Sequence, residues 1–103
     1  GVSLLCKEVN LNASVMKDIL FQIGKNRKDL VAVLGSKKDN KPILSCYVSK
    51  ALVDQGTHKA NTIIQEISGH IQGGGGGQPF FATAGGKNPT GLSDALQAVK
   101  NLL

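Results

Sequence analysis

Gly73, Gly74, Gly75, Gly76 and Gly77 follow one another without interruption, and Gln78-Pro79 comes directly after them. Residues without side chains add nothing to a core, and each loses more backbone entropy on ordering than any other residue type. A folded domain keeps such a run where bare backbone is required: at positions with φ > 0, or where main-chain N–H groups approach an anion closely. A flexible linker is the other use of this composition. Here apolar sequence flanks the run on both sides, from Ile63 to Ile71 and from Phe80 to Ala84. The expectation is an ordered glycine loop, not a spacer.

The 103 residues form one domain, residues 1–103. A chain of this size buries about 60–68% of its unfolded surface, enough for one core without a metal or disulfide staple. The absence of Trp and an aromatic share of only 4% make that core aliphatic. No apolar run approaches the roughly 20 residues that span a bilayer, so no membrane partner is expected. The chain starts on Gly1 and runs almost at once into apolar sequence, which reads as a piece of a longer protein. Cys6 and Cys46 lie far apart, without a CxxC or Cys/His metal spacing. Buried free thiols in a reducing, cytoplasmic compartment are expected, with a disulfide between the two left open.

Periodicity then places the elements. Val2 to Val9 reads as a strand. Asn12 is a good N-cap for a helix carrying Val15, Met16, Ile19, Leu20 and Ile23, with Gly24 as its stop. Leu30–Leu34 has the length and β-branching of a buried strand, and a turn at Asp39-Asn40 leads into a second strand, Pro42–Val48. Thr57 is the N-cap expected for a second helix with Ala60, Ile63, Ile64, Ile67 and Ile71 on one face, ended by the glycines. Phe80–Ala84 is a last short strand. Asn88-Pro89 then opens a helix with Leu92, Ala95, Leu96, Val99, Leu102 and Leu103 as its stripe. The order β-α-β-β-α-β-α gives an α/β class: a mixed β-sheet with helices packed on it.

Twelve Lys and Arg against seven Asp and Glu leave a net charge of +5, which favours a polyanionic partner. The cations cluster. Lys25, Arg27 and Lys28 crowd one connection, and Lys37, Lys38 and Lys41 crowd another. If the first strand and Leu30–Leu34 are parallel neighbours, the clusters lie at opposite ends of a strand roughly 20 Å long. One phosphate cannot touch both, whereas a folded RNA reaches both.

Catalytic equipment is sparse. The glycine run is no phosphate-binding P-loop, because no Gly-Lys-Ser/Thr follows, and no dinucleotide fingerprint, because it closes a helix instead of opening one. The C-terminal end of a helix is electronegative, so an anion here needs the N–H groups of the loop and a cation such as Lys87. His58 and His70 stand 12 residues apart and cannot share a metal, and the seven acids are scattered. No catalytic or metal-binding residue is assigned. Of Phe80 and Phe81, alternation puts one ring inward and one outward, where it could stack on a base.

The glycine run, Gln78-Pro79, Ala82-Thr83-Ala84-Gly85-Gly86 and the helix bearing Leu92, Ala95 and Leu96 resemble the carboxy-terminal, DHHA1-type domain of alanyl-tRNA synthetases, here of bacterial type. Only Gly73–Gly86 is motif-specific, although the element order is similar throughout. The resemblance implies a noncatalytic accessory domain that binds tRNA and holds its outer corner for the aminoacylation and editing sites. ATP, magnesium and zinc are then expected only on other domains of the parent ligase. The implied partners are tRNA, those other domains and, in some members, a second copy. Family members often carry one cation within the run and another before the proline, where this chain has Gly74 and Gln78. That shifts the expected RNA contacts to Lys25, Arg27, Lys28 and Lys87, with Gly75, Gly76, Gly77 and Gln78 meeting the backbone of the RNA. The alternative is the substrate-binding domain of a DHH-family nucleic-acid phosphoesterase. In those proteins a His follows three glycines; here Gln78 follows Gly75-Gly76-Gly77.

Overall fold

A computed structural model describes residues 3–56 and 58–102. Five strands form one mixed sheet in the order β1-β2-β3-β5-β4: β1 (Ser3–Val9), β2 (Leu30–Ser36), β3 (Ile43–Val48), β4 (Gly74–Gly77) and β5 (Phe81–Gly85). Strands β1 and β2 are parallel, as expected of a βαβ crossover, and the remaining pairs are antiparallel. Helix α1 (Ala13–Gly24) covers one face. Helices α3 (Ala60–Ile67) and α4 (Leu92–Leu102) cover the other, and the short α2 (Lys50–Gln55) follows β3.

β2 is buried along its whole length, which explains its unbroken apolar run. Leu30, Ala32 and Leu34 point to Met16 and Leu20 of α1. Val31 and Val33 point the other way, into a larger core with Leu44, Cys46, Ile64, Ile67 and Val99. Cys6 and Cys46 flank Val33 on either side, since each pairs with it in register. Two strand spacings put them about 10 Å apart, beyond the roughly 7 Å that a disulfide spans. Both thiols are free.

Several expectations change. The glycines form a strand, not a loop: Gly74–Gly77 pair with Gly85–Ala82 at the sheet edge, adding a hairpin between the helical region and the last predicted strand. Within the run only Gly77 has a positive φ, +153°. Bare backbone is needed for close approach instead. A Cβ at Gly73 would lie 2.0 Å from the carbonyl oxygen of Gly85, and one at Gly75 2.0 Å from that of Thr83, while Gly74 and Gly76 face open space.

The long isoleucine helix stops at Ile67 and continues to Ile71 as a tighter 3-10 turn. Ser68 Oγ donates to the carbonyl of Gln65 (3.4 Å), a side-chain bond of the kind that competes with helix propagation. Helix α2 was not anticipated because only Leu52 of its six residues is buried. Its one sequence signal is Gly56, which ends it in the left-handed conformation (φ 74°). The N-cap expected at Thr57 and the starts and ends at Val2 and Leu103 lie outside the described residues. Asn12 caps α1 as expected, accepting from the Val15 N–H (3.0 Å). Pro89 opens a 3-10 turn, Pro89–Gly91, that leads into α4, and the Asn88 side chain makes no cap bond there.

Candidate nucleic-acid interface

The sheet has two ends, and both carry cations. At the first end the α1–β2 connection, the β3–α2 junction and the β4–β5 hairpin tip come together. Lys25, Arg27 and Lys28 are exposed there. Of these three cations only Arg27 has an ion pair among the described residues, to Asp29 at 3.8 Å with both side chains about half exposed. Such a pair is worth little and leaves the loop cationic.

Buried Ser49 holds this loop in place. Its hydroxyl accepts from the Leu30 N–H (3.0 Å) and donates to the Arg27 carbonyl (3.0 Å), and the Ser49 N–H donates to the Leu30 carbonyl (2.9 Å). The serine stands where an N-cap of α2 would, yet its side chain serves the basic loop instead. Gly24, the last residue of α1, has a related role. A Cβ there would sit 2.1 Å from Tyr47 Cε1, and Tyr47 Oη donates to the Gly24 carbonyl (3.4 Å). Glycine therefore lets the tyrosine ring close against the helix end just before Lys25; it is not a left-handed stop, since Lys25 remains in the right-handed helical region.

The hairpin tip brings Gln78 and Phe80 to the same end. Gln78 and Phe81 exchange backbone hydrogen bonds (2.8 and 3.2 Å), leaving Pro79-Phe80 as a two-residue turn. The Phe80 carbonyl accepts from the Val48 N–H (2.9 Å) and the Pro79 carbonyl from the Ala60 N–H (2.7 Å), so the turn is anchored on both sides. Phe80 remains 44% exposed, while Phe81 packs half-buried under α1. One ring is outward and one inward, as alternation implied, although Phe80 sits in the turn and not in the strand.

The second end carries Lys37, Lys38 and Lys41 around a turn in which Asp39 and Asn40 both have positive φ (56° and 62°). Lys37 Nζ lies 3.7 Å from Glu8. Lys87 belongs here too: its N–H donates to the Ile71 carbonyl (2.9 Å), and the Gly86 N–H donates to the Pro42 carbonyl (3.1 Å). The structure therefore divides the expected contact residues. Lys25, Arg27, Lys28, Gly77 and Gln78 share the first end, Gly75 and Gly76 lie along the edge strand, and Lys87 stands about 20 Å away with the second cluster. Lys87 does not assist the loop at Gln78, because the glycines are an extended strand that carries the chain from one end to the other.

Among the described residues no three His, Cys, Asp or Glu side chains converge. Burial pushes the Cys46 thiol up to about 12, and burial also raises Cys6, partly offset by Lys100. Thiols held in the protonated form are poor nucleophiles. The cations and aromatics that gather at the first end suit an acidic, base-bearing polymer.

Residues 1–103 match the model of the DHHA1 domain. The chain belongs to the DHHA1 domain family. This DHHA1 domain is 50% identical over its full length to the alanine–tRNA ligase of Christiangramia forsetii, and 53% identical over 101 residues to that of Parabacteroides distasonis. It spans 12% of the length of each of these relatives. Its fold is that of the C-Ala domain of alanyl-tRNA synthetase from Aquifex aeolicus, with a TM-score of 0.82 at 25% identity, covering 99% of this chain and 87% of that one. The resemblance carried by the glycine run and Ala82–Gly86 is borne out, as is the α/β class with a mixed sheet.

Proposed function

We propose that this DHHA1 domain is a noncatalytic tRNA-binding module of an alanyl-tRNA synthetase, the ligase that joins alanine to its tRNA using ATP. It acts by holding the outer corner of the tRNA for the aminoacylation and editing sites. The observation that carries this reading is the fixed basic loop Lys25–Lys28 beside the outward Phe80, in a chain similar throughout to alanine–tRNA ligases. A loop clamped by buried Ser49 presents its cations with less entropy left to lose on binding. The second cluster, Lys37, Lys38, Lys41 and Lys87, lies far enough away to meet another stretch of the same folded RNA. Binding of ATP, magnesium and zinc is assigned to other domains of the parent chain, and the site of action is the cytoplasm. Titration of the domain with tRNA at two salt concentrations tests the reading: affinity should fall steeply as salt rises.

A further inference from the structure

Between Phe80 and α2 lies a cavity of about 370 Å3 lined by Phe21, Tyr47, Lys50, Val53, Asp54 and Phe80. Its volume lies in the range of about 300–1,000 Å3 usual for small-molecule sites. Three of the six lining residues are aromatic, and Phe21 touches the other two. Phe21 meets Tyr47 edge-on (centroids 5.4 Å, planes 75° apart) and Phe80 likewise (6.4 Å, 68°). Each ring of the lining is held independently: Tyr47 by Gly24, Phe80 by the anchored turn, and Phe21 by its place on α1.

We infer that this cavity, through Phe80, Tyr47 and Phe21, binds a single unstacked RNA base, with Lys50 meeting the adjoining phosphate. The inference rests on the tRNA-binding reading above and deepens it. Three features favour a base over another occupant. The walls are aromatic, and every nucleobase offers a π-face to them. Charge complementarity points to a polyanion, because Lys50 adjoins Ser49, whose hydroxyl donates to the backbone carbonyl of Arg27 and so holds the basic loop nearby, and Tyr47 adjoins the helix end that leads into Lys25. A strand entering the cavity thus passes along the basic loop. Asp54 is the one acid in the lining and, among the described residues, is not ion-paired. A carboxylate offers acceptors only, which repels phosphate but suits N–H groups on a base edge, such as the guanine amino group. Asp54 and Lys50 thus offer a base edge and a phosphate different partners on the same rim of α2.

The chain has one Tyr and no Trp, so its intrinsic emission reports on Tyr47 alone. Titration with the pentaribonucleotide UUGUU should quench that emission saturably. Phe80→Ala should shift the quenching to higher RNA concentration, raising the Kd for UUGUU about five- to a hundredfold, the usual range for loss of one stacking partner. The same variant should leave the salt slope for tRNA unchanged. Lys50→Glu, an exposed change that leaves the rings in place, should also weaken UUGUU binding and guards against a folding defect in the first variant. Full, salt-dependent tRNA binding with no quenching and no effect of either change on UUGUU would overturn the base pocket and leave the tRNA reading intact. If the unaltered chain bound no tRNA at low salt, both would fall.

Discussion

A Cβ built on Gly75 would stand 2.0 Å from the carbonyl oxygen of Thr83, and one on its neighbour Gly76 would touch nothing within 4 Å. Five chemically identical residues therefore have alternating tolerances. Gly74→Ala and Gly76→Ala should leave stability unchanged or raise it by about 0.4–1 kcal/mol, through reduced entropy of the unfolded chain. Gly73→Ala and Gly75→Ala must push β4 away from β5, at a cost of about 1–3 kcal/mol or more. Gly77→Ala joins them, with φ +153° and a Cβ 2.7 Å from the Phe81 carbonyl oxygen. Thermal melts of the five variants check this; equal effects at all five would contradict the strand.

Removing the Ser49 hydroxyl leaves the buried Leu30 N–H without its side-chain acceptor and the Arg27 carbonyl without its donor. Ser49→Ala should destabilise by about 1–3 kcal/mol, the usual penalty for an orphaned buried polar group. It should also loosen Lys25–Lys28 and weaken RNA binding more than its effect on folding accounts for. Denaturant titration together with tRNA affinity at a temperature where the variant is folded separates the two effects.

How far the fold was legible depended on how many residues carried each element's signal. β2 announced itself because burial on both faces requires an unbroken apolar run, and α3 because Ile63, Ile64 and Ile67 fall on one stripe. Asn12 showed the start of α1 through its own capping chemistry. Strand β4 was hidden because glycine has no side chain with which to show period-2 alternation. Helix α2 was hidden because one buried leucine makes no pattern. The candidate interface was half legible. Lys25, Arg27 and Lys28 are visible as a charge run, but their union with Lys50, Tyr47 and Phe80 comes from a sheet order that brings β5 next to β3. Lys87 lies near the start of the glycine run, at Gly73 and Gly74, and at the opposite end of β4 from Gly77 and Gln78.

Burial holds the Cys46 thiol at about 12, against 9.0 for the ordinary value. Between those values the unfolded chain loses this proton and the folded chain keeps it. The stabilising contribution is therefore full below pH 9 and is lost as pH rises toward 12. By pH 10 the loss from this group is about 1 kcal/mol. Stability measured from pH 8 to pH 10 should fall more steeply for the unaltered chain than for Cys46→Ala, which cancels the background of Lys and Tyr titration. Parallel curves would contradict the assignment.

The central claim is that the first end of the sheet grips tRNA through Lys25, Arg27 and Lys28. The most direct measurement is the slope of log Kobs against log salt for tRNA binding, taken for the unaltered domain and for the triple Ala variant. Each phosphate contact contributes about 0.7–0.9 to the slope, so the account predicts weaker binding and a slope shallower by about two to three units. An identical slope and affinity in the triple variant would contradict it and reduce the loop to a solvated turn.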